Sequence, residues 1–182
     1  RTVEDAGIML NLLAGHDPRD QGSALVEQQD YLENLNSSVS NLRVGIPNEF
    51  VWDLMDPEVE YVFRVAMNHM GLLGIGVDTV SIPELELINA AGSIVQTSEA
   101  AVIYRERVLA HGQYFDPGIR RRMESGLFIT PEAYLQAQRA RELLKRRLLT
   151  AFDQFDLLAT PTTAIAAPGI SEESVMIRGQ NI

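Results

Sequence analysis

Leu42-Arg43-Val44-Gly45-Ile46 and Val77-Asp78-Thr79-Val80 frame the most regular part of this chain. The first alternates apolar with other residues, the period of a strand, and the second reads as another short strand. Between them Asp56-Pro57 supplies a helix cap followed by proline at the first helical position. Val59, Val62, Phe63, Ala66, Met67 and Met70 then recur three and four apart, which places them on one face of a helix. Gly71, Gly74 and Gly76 break that helix before the second strand. Strand, amphipathic helix and strand make a βαβ unit near residues 42–80, and its crossover implies a parallel pair. The expectation is an α/β fold.

On the N-terminal side, Thr2 with Asp5 has the form of a capping box, with two carboxylates facing the positive end of a helix. Ala6 to Ala14 is apolar on nearly every side and predicts a buried helix, with Gly15 as its left-handed cap. His16-Asp-Pro-Arg-Asp20 carries turn residues. On the C-terminal side the pattern becomes helical from Pro83. Leu87 to Leu109 reads as one long helix ending around His111-Gly112, and Asp116-Pro117 starts a shorter one. Thr130-Pro131-Glu132 caps a third, with Ala133, Ala137, Ala140, Leu144, Leu148, Ala151 and Phe155 on one stripe. Leu157 to Thr160 predicts a short buried strand, and the last dozen residues a polar linker or an unfinished element. With no repeat or inter-domain linker, residues 1–182 read as a single domain, helix-rich in its second half.

Composition narrows the function classes. At 182 residues with 46% hydrophobic and 22% charged content, the chain has the make-up of a soluble globular protein with one substantial core. A net charge of −10 argues against attraction of the whole molecule to nucleic acid or anionic lipid. No apolar run is long enough for a membrane span, and there is no signal-peptide pattern, so a cytoplasmic location is expected. Cysteine is absent, which removes disulfides, thiol nucleophiles and thiolate metal sites. Lys145 is the single lysine among 15 basic residues and the only candidate for a lysine base. The chain starts at Arg1, directly on a helix-start signal, and reads as a fragment of something longer.

Few residues stand in patterns that carry chemistry. His16, His69 and His111 have no metal-binding spacing and read as solvated or packed imidazoles. Gly71, Gly74 and Gly76 precede a strand and lack a following Lys-Ser or Lys-Thr, so they match neither a phosphate loop nor a dinucleotide fingerprint. Arg120-Arg121-Arg122 and Lys145-Arg146-Arg147 read first as solvated helix faces. The sharper reading is an arginine whose planar fork binds a substrate carboxylate. Ser37, Ser38 and Ser40 sit in a polar loop with no glycines to form a tight oxyanion turn.

Several of these segments together are similar to one family. Arg1-Thr-Val-Glu-Asp-Ala6 with Leu13-Ala-Gly-His-Asp-Pro-Arg-Asp20 resembles the helix that follows the signature region of the amidase signature family. Leu42-Arg-Val-Gly-Ile-Pro47 resembles the strand after it. Tyr134-Leu-Gln-Ala-Gln-Arg139-Ala-Arg141 and Asp156-Leu-Leu-Ala-Thr-Pro-Thr-Thr163 resemble a later helix and strand. The matches fall in the family's order across nearly the whole chain.

The resemblance implies a mixed sheet covered by helices and a serine hydrolase acting on small-molecule amides, with no metal or cofactor. In that family a serine is activated through a second serine, held by a cis peptide bond, and a lysine. A hydroxyl becomes a nucleophile only when a neighbouring base takes its proton, so the three act together. All three precede the counterpart of Arg1, and Lys145, within a late helix, does not match the family's lysine. The chain is therefore expected to be the C-terminal portion of an amidase, truncated at both ends and inactive alone. The exposed core face this leaves predicts poor solubility or pairing with a second copy.

Two alternatives stand beside that reading. One is the A subunit of a tRNA-dependent amidotransferase, which would bring nucleic acid only through its complex. Arg122 best matches the arginine that holds the amino-acid carboxylate there, whereas the subclass's tyrosine would fall near Gly92-Ser93. The helix starting at Thr130 also lacks the subclass's tyrosine-rich entry, so a general amidase is preferred. The other is a non-catalytic helical interaction module. Thr160, Thr162 and Thr163 have no base beside them in sequence and are not expected to be nucleophiles.

Overall fold

The structure is a computed structural model that describes residues 2–49, 52–170 and 174–181. The chain divides into two compact units, Arg1–Val39 and Ser40–Ile182.

In the first unit, helix α1 (Val3–Leu13) begins as its sequence dictates. The Thr2 hydroxyl accepts the Asp5 N–H, and the Asp5 carboxylate accepts the Thr2 N–H in return. Asn11 ties the helix to the segment after it: its side-chain NH2 donates to Asp30, and its side-chain carbonyl accepts the Tyr31 N–H. The expectation of a buried helix is not met. Only Gly7 is buried, against Leu32, while Leu12 and Leu13 are about three-quarters exposed. Within its unit this helix has a partner on one side only, so an apolar surface all round cannot be covered. Gly15 takes φ +148°, a conformation that favours glycine.

The second unit is built on the βαβ pattern. Strands β1 (Arg43–Pro47) and β2 (Gly76–Val80) pair in parallel, with Arg43 opposite Gly76 and Pro47 opposite Val80. Helix α2 (Pro57–Leu72) joins them, its Asp56 cap accepting the Glu58 N–H. Gly74 then turns the chain at φ +87° with the Ser40 side chain close beside it. The apolar face of α2 is narrower than its sequence suggests. Met67 is buried and Val59, Phe63 and Met70 are half-buried, but Val62 lies 59% exposed because the helix packs on β2 along one edge.

Beyond β2 a short 3-10 helix (Pro83–Leu87) leads into α3 (Ile88–His111), α4 (Pro117–Gly126) and α5 (Pro131–Phe152). Thr130 caps α5 through the Ala133 N–H, and the predicted stripe is the buried one. Ala137, Leu144, Ala151 and Phe155 are buried, with Ala133, Ala140 and Leu148 half-buried between them. Leu144 and Ala151 pack with Ile82 and Leu85 beneath the sheet end, and Ala137 packs with Ala91 and Val95 of α3.

Strand β3 (Leu157–Leu158) pairs in parallel with β1, giving the order β2-β1-β3. It is shorter than expected and not fully buried: as an edge strand it leaves Leu157 about half exposed. Among the described residues this sheet is parallel throughout, not mixed. The C-terminal stretch also departs from a linker, since β4 (Met176–Ile177) and β5 (Gln180–Asn181) form an antiparallel hairpin. Its turn puts Arg178 at φ 48° and Gly179 at φ 84°, as a two-residue hairpin turn requires. Residues 171–173 and 182 of that stretch, and Arg1 of the first family-like segment, lie outside the described residues.

Candidate functional site

Helices α3, α4 and α5 make the largest group of helix contacts, and two grooves of the described residues lie between them. The approach of α4 to α3 is set by Gly126. A Cβ there would stand 2.3 Å from the Thr97 carbonyl oxygen and 2.7 Å from the Ala101 Cβ. No side chain larger than hydrogen fits without moving the helices apart.

Two grooves flank this contact. The larger, about 650 Å³, runs between α3 and the α4–α5 connection, with Ala101, Val102, Leu127, Ile129, Pro131 and Tyr134 along it. Its lining is mostly apolar. The smaller, about 400 Å³, lies between α3 and α5 over the buried side chains of Ala91, Val95 and Leu144. Glu99 borders both. Its carboxylate accepts the Tyr134 hydroxyl at 3.0 Å, and that hydroxyl accepts the Gln138 side-chain N–H at 2.7 Å. This chain of polar groups fixes the wall between the grooves.

A second polar cluster closes the carboxyl end of β2. Glu49, in the segment after β1, accepts both the Ser81 hydroxyl and the Ile82 N–H. The Ser81 hydroxyl holds the Glu49 carboxyl below the usual carboxylate range, against a smaller opposing effect of desolvation. Nearby Arg147 donates to Glu84 at 2.8 Å. Glu84 is likewise held low, first by its own backbone N–H and then by Arg147.

In the first unit the Ser23 hydroxyl approaches His16 Nδ1 at 3.3 Å and accepts the Asp17 N–H. His16 is exposed, and no carboxylate orients its ring among the described residues. A catalytic serine needs a base that is itself oriented, so the contact serves to close the loop.

The sequence profile of the family described as Amidase matches residues 1–180. The chain belongs to the amidase signature family. An amidase of Pseudomonas putida is 34% identical over 173 residues, covering 95% of this chain and 37% of that protein. The A subunit of a glutamyl-tRNA(Gln) amidotransferase from Chloroflexus aurantiacus is 32% identical over 195 residues, covering 94% of this chain and 40% of that one. Among solved structures, a chain from a vestigial protein complex bearing on the origins of an s-triazine catabolic enzyme superposes over 100% of this chain. Its TM-score is 0.89 at 26% identity, and 39% of its own length is covered. A crystal structure of an amidase gives a TM-score of 0.80 at 25% identity. This amidase-family chain thus spans about two fifths of the length of the relatives it matches.

The positions singled out in the sequence of this amidase-family chain do not converge. Arg122 lies exposed on α4, borders neither groove, and its side chain has no hydrogen-bond or ion-pair partner among the described residues. Its neighbour Arg120 is paired with Glu124 at 2.7 Å, as a solvated helix face would be. Lys145 is exposed on α5 and likewise has no partner among the described residues. Thr160, Thr162 and Thr163 are exposed, and the Thr163 hydroxyl donates to the Ile165 carbonyl. The grooves instead depend on Glu99, which no local motif marks, and on Tyr134 and Arg141, the two ends of the family-like segment of α5. The one signal within reach was Gly92, a glycine inside a long helix, where it costs about 1 kcal/mol against alanine and so asks for a reason.

Proposed function

We propose that this chain is the later part of a single amidase domain that hydrolyses carboxylic amides. The serine nucleophile, the second serine and the lysine would come from polypeptide other than these 182 residues. The same reading places further strands beside β1–β3 to complete a mixed sheet, and assigns Arg122 to a substrate carboxylate. The observation that carries it is the match of residues 1–180 to the amidase profile while the chain spans only 37% of the amidase relative.

The chain alone should neither hydrolyse amides nor react with a fluorophosphonate serine probe, whereas the complete product of its reading frame should do both. Stoichiometric labelling of the 182-residue chain by itself would falsify the reading. The relative from Chloroflexus aurantiacus supports a second reading, the A subunit of a tRNA-dependent amidotransferase. Release of ammonia from glutamine by the complete protein, raised by partner subunits, would favour that reading over a general amidase.

A further inference from the structure

The smaller groove carries an inference that does not depend on the amidase reading. Its floor is apolar, made by the buried side chains of Ala91, Val95 and Leu144. Its rim is charged, with Glu99 on α3 and Arg141 on α5. These two groups stand towards opposite ends. Glu99 meets Tyr134, while Ala137, nearly one turn further along α5, packs against Ala91 and Val95, so the helices run antiparallel. Arg141 is one turn beyond Ala137 and therefore level with the Ile88–Gly92 end of α3. From that end to Glu99 is about 10 to 15 Å of helix at 1.5 Å per residue. No ion pair joins Glu99 to Arg141 among the described residues, and the Arg141 guanidinium has no partner there.

Gly92 lies on the groove as well, and a Cβ there would meet nothing within 4 Å. Space over an apolar floor, a carboxylate at one end and a guanidinium at the other define what the groove can hold. A ligand with one charge would leave the opposite end unanswered. Because no ion pair closes between Glu99 and Arg141 among the described residues, a ligand that meets both spans the gap between them.

We infer that the α3–α5 groove binds a small zwitterion whose ammonium and carboxylate are separated by a short apolar spacer. The ammonium lies at Glu99 and the carboxylate at Arg141, whose planar fork suits it. The spacer lies on Ala91, Val95 and Leu144.

The test is calorimetric titration of the complete product of this reading frame with 5-aminopentanoate, beside pentanoate and pentylamine, which each carry one of the two charges. Saturable binding is expected for the zwitterion and about tenfold weaker binding for each control, the size of one lost charge-assisted hydrogen bond. Glu99→Gln and Arg141→Gln should each weaken the zwitterion about tenfold and leave the affinity for one of the two controls unchanged. Gly92→Trp should abolish binding by filling the groove. Because its Cβ meets nothing and a helix glycine is removed, helical circular dichroism should be kept and the unfolding midpoint should not fall. Equal affinity for the zwitterion and pentanoate would overturn the inference. Undiminished binding by the folded Gly92→Trp variant would do the same, as would no detectable heat with 5-aminopentanoate.

Discussion

Helices α1 and α5 start alike and end up in different circumstances. Each opens on a threonine whose hydroxyl accepts a backbone N–H three residues on, and each carries enough apolar residues to look like a core element. In α5 one stripe of them is covered, buried at Ala137, Leu144 and Ala151, while Leu135, Leu149 and Phe152 on the other sides remain exposed. In α1 they surround the helix, and Leu12 and Leu13 remain exposed. Apolar content measures the drive for burial, but only a partner element can satisfy it. A stripe shows which side the partner will take, whereas an all-round apolar surface says nothing about where partners come from.

The most direct challenge to this contrast is to truncate one leucine in each helix. Leu144→Ala should cost about 2–5 kcal/mol of stability, because it empties space beneath Ile82 and Leu85. Leu13→Ala, at an exposed site, should change stability by no more than about 0.5 kcal/mol. Urea unfolding of both variants decides the matter, and equal losses would show that α1 is as well covered as α5.

The caps probe the same contrast from the side where the two helices agree. Thr130→Ala and Thr2→Ala should each weaken their own helix by about 1 kcal/mol, since the local hydrogen bond is the same. Amide exchange in the first turn of each helix reads this out. A loss confined to α5 would mean that the Thr2 box contributes nothing without tertiary support.

A smaller effect concerns pH. Because the folded Glu49 carboxyl is depressed, its contacts with Ser81 and Ile82 stabilise fully above the usual glutamate pKa of about 4.3. That contribution is lost as pH falls through the depressed folded value. Unfolding midpoints of Glu49→Gln and the parent chain should therefore differ near pH 6 and converge towards pH 3. Parallel curves across that range would remove Glu49 from the account.

Much of the second unit is legible in the sequence, and the reasons are local. Asp56-Pro57 and Thr130-Pro131 can begin helices wherever they occur, and the α5 stripe needs only the 3.6-residue period to be read. The parallel pairing of β1 and β2 follows from the helix between them. Where reading fails, a distant segment decides. The β4–β5 hairpin turns on Arg178-Gly179, of which only the glycine hints at a positive φ. Leu157 looks like a core residue, yet among the described residues β3 lies at the sheet edge, which only the strand order reveals. Of the candidate sites, Arg122 comes from the family resemblance, whereas the Glu99–Tyr134 contact joins residues 35 apart on two helices.

Residue order alone was enough for the α/β class, the helix starts, the α5 stripe and the resemblance to the amidase signature family. All of these rest on neighbours within a few residues, or on the succession of segments along the chain. Three-dimensional packing was needed to settle which apolar faces are covered, that β3 lies at an edge, and that Gly126 brings α4 against Thr97. It was needed again to show that Glu99 and Arg141 share a groove. Burial and groove shape depend on what stands opposite each residue in space, and that partner comes from another part of the chain.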